Sequence, residues 1–170
     1  MKKEKFLTVF AVLDNKTQQY LKSLQNQILK LGHKGTQTMD IPFHISLGSF
    51  PVSDQNFLVD KVKKITTQIP KFEIKLNSVN HFSNKVLFIE PETNPDLLKL
   101  HNNFDNNYAD GFPWHAHITI FCGPEENVCI AKEKLLETFK PCVGEITSVQ
   151  IGEFFPTKLI KNCDLKNNHR

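Results

Sequence analysis

Two short stretches of this 170-residue chain pair an imidazole with a hydroxyl two residues on, His44-Ile45-Ser46 and His117-Ile118-Thr119. Residues i and i+2 of a strand project from one face, so each stretch presents both groups together. Brought across one cleft, two imidazoles and two hydroxyls are what an in-line displacement at phosphorus needs. One ring takes a proton while the other gives one, and histidine suits this because its ordinary pKa lies near neutrality. A lone histidine in a strand is more often a hydrogen-bonded structural residue. The duplication at equivalent places argues for chemistry.

Those places are set by the surrounding elements. Pro51 follows His44 by seven residues and Pro124 follows His117 by seven; the next prolines, Pro70 and Pro141, close a helical stretch in each half. Lys5 to Leu13 reads as a strand, and Asp14 as the cap of a helix with Leu21, Leu24, Ile28 and Leu31 on one face and Gly32 at its end. A strand from His44 to Phe50 follows. Pro51 and Ser53 then open a helix with Phe57, Leu58, Val62, Ile65 and Ile69 facing inward, and Phe72 to Leu76 alternates as a strand. The second half repeats the order. Lys85 to Glu90 is a strand, and Asn94 and Pro95 open a helix with Leu97, Leu98, His101, Phe104 and Tyr108 inward. His115 to Phe121 is a strand, Glu125 to Phe139 a helix, and Ile146 to Phe155 a strand. The whole reads as one unit used twice, related by a pseudo-twofold axis, within a single domain over residues 1–170.

Composition narrows the class. Hydrophobic residues make up 39% and charged residues 23%, as in ordinary globular proteins. No signal peptide and no membrane-spanning stretch is expected, which points to the cytoplasm. Cys122, Cys129, Cys142 and Cys163 lack Cys-x-x-Cys spacing and read as reduced thiols. A net charge of +3 allows anionic ligands without the basic field of a nucleic-acid coat. Of 21 basic residues 20 are lysine, and the one arginine is the terminal Arg170. No internal arginine fork is therefore available to a phosphate.

Phe43-His44-Ile45-Ser46-Leu47 and His117-Ile118-Thr119-Ile120 resemble the signature of the two-histidine (2H) phosphoesterase superfamily, and the resemblance covers nearly the whole chain. The length, the two β-α halves and the 73-residue motif separation are similar to the bacterial branch called 2′-5′ RNA ligase or cyclic phosphodiesterase. The resemblance implies an α+β, bilobal fold with two antiparallel sheets facing a central groove and helices outside, and it implies no metal or cofactor. Carried over residue by residue, it makes His44 and His117 the acid/base pair, with Ser46 and Thr119 donating to the non-bridging phosphate oxygens. The implied reaction is hydrolysis of a 2′,3′-cyclic phosphate to a 2′-phosphate, with His117 as base and His44 as acid. RNA ends, cyclic nucleotides or short oligonucleotides are the implied substrates, and a monomer is the default.

Further residues are candidates for substrate contact. His115 shares a face with His117 and either touches substrate or orients the catalytic ring. His115, His117 and Cys122 match no zinc spacing. Trp114, Tyr108, Phe112 and Phe82 are platforms for a nucleobase or else core residues. Trp114 enters through the Asp110-Gly111-Phe112-Pro113 loop, and Phe82 resembles a family aromatic near the groove. Lys34, in a Gly32–Gly35 segment read as a mobile lip, and Lys158 are candidates to reach an incoming phosphate or else solvating side chains. His101 reads as structural, while His33, His81 and His169 carry no motif. Three other outcomes stay open: a 2′-5′ oligonucleotide or cyclic-dinucleotide phosphodiesterase, a ligase running the reaction in reverse, and a non-catalytic nucleotide binder. The absence of a P-loop argues against an ATP-driven ligase.

Overall fold

A computed structural model describes residues 4–106, 108 and 112–168. Arg170, His169 and the Asp110-Gly111 step lie outside the described residues.

Strand β1 (Phe6–Leu13) is followed by helix α1 (Asn15–Leu29) and strand β2 (His44–Pro51). A 3-10 turn (Val52–Asp54) leads into α2 (Gln55–Thr66), then β3 (Phe72–Phe82) and β4 (Val86–Pro91). Helix α3 (Pro95–Asn102), β5 (Ile118–Cys122), α4 (Glu125–Thr138), β6 (Cys142–Phe154) and β7 (Lys158–Asp164) complete the chain. The architecture is α+β with antiparallel pairing throughout the ladders. Among the described residues no helix is long and apolar enough to cross a membrane.

Local sequence explains most boundaries. Asp14 caps α1, accepting from the Thr17 amide at 3.1 Å and the Thr17 hydroxyl at 2.7 Å, and it also accepts from the Glu145 amide at 2.8 Å. Asn94 caps α3 through the Leu97 amide, with Pro95 in the first turn. Several apolar positions read as inward are not. Leu31 lies past the end of α1, and Phe57, Leu98 and Tyr108 are exposed. In α3 the buried positions are Leu97, Leu100 and His101, and Phe104 just past its end continues the stripe at i, i+3, i+4, i+7, tighter than the one expected. Ser53 does not cap α2, because the 3-10 turn intervenes and α2 opens after Asp54.

The strand order is β2-β1-β6-β3-β4-β5, with β7 also on β6. This corrects the simple division into sequence halves. Along one edge of the long β6, residues from Ile146 to Phe154 pair with β1. Along its other edge, Cys142 to Ile146 pair with β3 and Ser148 to Glu153 pair with β7. The two expected sheets are thus two arrays, β2-β1-β6-β7 and β6-β3-β4-β5, joined through a shared strand. β3 comes from the first half of the chain but lies with β4 and β5; β6 and β7 come from the second half, yet extend β1. Strand β7 has no counterpart in the sequence reading, because its residues are largely polar and exposed. Helices α1 and α4 pack together over the β3–β5 array, whereas α2 packs on β6 and β7 and α3 on β2.

β1 shows how one strand serves two faces. Leu7, Val9, Ala11 and Leu13 enter the main core beneath the helices, while Phe10 and Val12 join Phe154, Phe6 and Ile41 in a second cluster. Period-two alternation therefore puts Phe6, Thr8, Phe10 and Val12 on the face opposite the helices. Both faces of β1 are covered, so the strand reads as a continuous apolar run rather than an alternating one.

Candidate active site

The motif strands β2 and β5 stand at opposite ends of the hydrogen-bonded order, yet they are in contact with one another. The sheet curls until its two edges meet, and the motifs meet with them. Ile45, Leu47, Ile118 and Ile120 are buried in the core, which turns His44, Ser46, His117 and Thr119 the other way.

Each motif carries a β-bulge at the same place. In the β1–β2 ladder Phe10 pairs with Ser46 and Val9 with Gly48, so Leu47 is the extra residue. In the β4–β5 ladder Phe88 pairs with Thr119 and Leu87 with Phe121, so Ile120 is the extra residue. A bulge shifts the alternation by one. Ser46 and Ser49 thereby come to share the groove, and so do Thr119 and Cys122. The aromatic opposite each hydroxyl also corresponds: the Phe10 ring lies 4.5 Å from His44 and the Phe88 ring 5.5 Å from His117.

The imidazoles are held alike. His44 Nδ1 lies 2.8 Å from the Pro42 carbonyl and His117 Nδ1 lies 2.7 Å from the His115 carbonyl, each two residues back. A carbonyl only accepts, so Nδ1 carries the hydrogen in the neutral form of both rings and Nε2 is the basic nitrogen. Burial drives the His44 pKa down from 6.5 to about 4; the Pro42 carbonyl opposes this, and repulsion from His117 adds to it. The two rings are thus close enough for the charge of one to act on the other.

The groove has a volume of about 600 Å³. His44, Ser46 and Thr119 line it, together with Lys22 and the segment from Thr36 to Met39. That segment is fastened to β5: the Thr36 amide donates to the Cys122 carbonyl at 2.8 Å, and Gln37 Oε1 accepts from the Cys122 amide at 3.1 Å. Gly35 permits the close approach, since it has φ +67 and a Cβ there would press on Phe121 and the Cys122 carbonyl. Burial raises the pKa of the Cys122 thiol. All four cysteines are free thiols.

The other sequence candidates divide. Phe82 sits edge-on to His117 at 4.9 Å and to His115 at 5.4 Å, beside the motif. His115 Nε2 lies 2.7 Å from Glu90 Oε1, and its carbonyl receives His117, which places it as a support for the second ring. Trp114, expected as a cleft-edge platform, is instead a strut: its indole stacks on buried His101 at 3.7 Å and its N–H donates to the Ser46 carbonyl at 2.8 Å. Tyr108 is half exposed and its amide donates to Asn106, away from the groove lining. Phe112 is exposed. Lys34 and Lys158 do not line the groove; Lys158 opens β7 opposite Glu153. Among the described residues no three His, Cys, Asp or Glu side chains converge.

Sequence reasoning missed the groove face of α1. Gln18 donates to the Phe43 carbonyl at 2.7 Å and accepts from the Phe43 amide at 2.8 Å, clamping the residue before His44. Gln25 reaches the Ile120 carbonyl, and Lys22 Nζ lies 3.2 Å from Gln25 Oε1. A signal was present: positions 18, 22 and 25 lie on one helical face, and Gln25 interrupts the apolar stripe of Leu21, Leu24 and Ile28.

Two histidine-hydroxyl motifs meeting where the bulged edge strands of a curled antiparallel sheet come together, with His44, Ser46 and Thr119 lining one groove and His117 immediately before β5, are the arrangement of the two-histidine phosphoesterases. The model of the 2′-5′ RNA ligase superfamily matches residues 13–153, and the chain belongs to that superfamily. Its fold is similar to TT0787 of Thermus thermophilus, at 14% identity and TM-score 0.65, covering 96% of this chain and 100% of that one. It is also similar to E. coli LigT in apo form, at 16% identity and TM-score 0.58, covering 96% and 99%. LigT complexed with 3′-AMP aligns at 15% identity and TM-score 0.54, covering 96% and 98%. No curated protein matches the sequence.

Proposed function

We propose that this protein is a metal-independent phosphodiesterase that opens 2′,3′-cyclic phosphates of RNA ends or nucleotides to 2′-phosphates. The observation that carries this reading is the mirrored construction of the two motifs: a carbonyl anchor on Nδ1 from two residues back, a hydroxyl two residues on and a bulge one residue further, with His44, Ser46 and Thr119 lining one groove. The 3′-AMP complex of LigT supports a nucleotide as occupant.

In this mechanism His44 takes the proton and His117 gives one, the reverse of the assignment drawn from sequence. A ring whose pKa is depressed to about 4 is neutral at pH 7, so it has no second proton to give and is left the accepting role. Water attacks phosphorus as its proton passes to His44 Nε2. The P–O3′ bond breaks, and O3′ leaves with the proton from His117 Nε2. Ser46 and Thr119 donate to the non-bridging oxygens, and Lys22, the lysine that lines the groove, supplies positive charge in place of an arginine. The chain acts as a monomer in the cytoplasm.

The test assays wild type, His44→Ala and His117→Ala on cyclic mononucleotides, cyclic dinucleotides and short 2′-5′ and 3′-5′ oligonucleotides, with and without EDTA. Cyclic mononucleotides should yield 2′-phosphates in EDTA, and each alanine variant should lose roughly 10²–10⁴-fold in rate. Full activity in either variant, or loss in EDTA restored by a divalent ion, rejects the mechanism. Cleavage confined to 2′-5′ linkages reassigns the substrate.

A further inference from the structure

The extra residue of a bulge drops out of regular ladder pairing, so its carbonyl needs a partner from elsewhere. At both motifs one buried polar side chain of a helix provides it. Gln25 of α1, 3% exposed, donates Nε2 to the Ile120 carbonyl at 2.9 Å. His101 of α3, 5% exposed, donates Nδ1 to the Leu47 carbonyl at 2.9 Å. The arrangement is crossed: α1 precedes β2 in the chain but holds β5, and α3 precedes β5 but holds β2. Each holder is itself held. Gln25 Oε1 accepts from Lys22, and the His101 ring is stacked on Trp114, whose N–H takes the adjoining Ser46 carbonyl.

A leucine at either helix position would bury more apolar surface but leave the bulge carbonyl unpaired. The polar side chain is matched instead to one carbonyl, three residues beyond a motif histidine. Bulges re-aim the side chains beside them, so the hand on the bulge carbonyl sets the aim.

We infer that Gln25 and His101 are positioning residues, Gln25 setting the orientation of His117 and Thr119 through Ile120, and His101 that of His44 and Ser46 through Leu47. This rests on His44 and His117 being the reacting pair. The signature is selectivity: each holder governs one ring and leaves the other alone, whereas a merely structural role moves both or neither.

The experiment compares wild type, Gln25→Met and His101→Phe, which retain bulk and, for phenylalanine, the stack, but lose the donor. His101→Asn restores a donor near the Nδ1 position. Long-range ¹H–¹⁵N spectra of the two imidazoles, assigned with His44→Gln and His117→Gln, are read beside kcat, KM and unfolding midpoints on a 2′,3′-cyclic mononucleotide. Gln25→Met should shift the His117 ring and spare His44; His101→Phe should do the converse, and His101→Asn should recover most of the loss. Each donor-less variant should lower kcat roughly 10–100-fold with KM within about threefold. Unshifted rings, equal shifts of both rings, or a kcat loss no larger than the fraction unfolded overturns the inference. If His101→Phe does not fold, Trp114→Phe keeps the stack, removes the Ser46 contact and should move His44 alone. A wild type that turns over no substrate defeats the proposed function, while the spectra still decide the positioning.

Discussion

The His44 ring offers the most quantitative check, because one physical cause governs both stability and rate. Burial holds the folded pKa at about 4 against 6.5 for the free side chain. Between those values the unfolded chain binds a proton that the folded chain refuses, so stability falls as pH falls through this window. A shift from 6.5 to about 4 corresponds to about 3 kcal/mol once pH is well below 4, and to about 2 kcal/mol at pH 5 relative to pH 8. Urea unfolding at pH 8, 7, 6 and 5 on wild type and His44→Gln isolates the contribution, since the glutamine variant lacks the titrating group and every other group cancels in the difference. Wild type should lose about 2 kcal/mol more than the variant by pH 5. NMR titration of the His44 Cε1–H should give the same midpoint, and the acid limb of kcat/KM should lie well below the usual histidine value. Replacing His117 with glutamine should raise the midpoint by the smaller part of the depression, because burial is the largest cause and repulsion only adds to it. A midpoint near 6.5, or parallel stability curves for wild type and His44→Gln, would refute both the enclosure of the ring and its assignment as base.

Three more outcomes follow from the same geometry. Ser46→Ala and Thr119→Val should each lower kcat roughly 10- to 1,000-fold with smaller changes in KM, measured by steady-state kinetics, if their hydroxyls meet charge that develops on the phosphate oxygens. Lys22→Met should raise KM and flatten its dependence on ionic strength, because it removes the lysine lining the groove; an unchanged salt profile would assign phosphate binding elsewhere. Gly48→Ala should cost about 1–3 kcal/mol in urea unfolding, since the added Cβ would overlap the Phe104 carbonyl where β2 lies against the segment after α3.

What sequence alone determined here is local or repetitive. The motif pairs follow from strand periodicity, the start of α1 from Asp14, the start of α3 from Asn94 and Pro95, and the α+β class from alternating patterns, all interactions within a few residues. The superfamily was legible for the same reason, because its signature is contiguous. The tertiary structure decided what depends on partners far along the chain. Whether β6 extends β1 or β3 is a matter of which edges are free when the chain collapses, and nothing within either half states that β6 serves both. The bulges at Leu47 and Ile120 became visible only in register with β1 and β4, and through them the pairing of Ser46 with Ser49 and of Thr119 with Cys122. Trp114 looked like a platform because aromatics serve equally for stacking and for packing; only the ring of His101 beneath it separates the two. The identity of the histidines was written in the sequence, but the depressed pKa of His44 was not. That depends on burial and on a neighbouring charge 73 residues away in the chain, quantities that exist only once the sheet has curled.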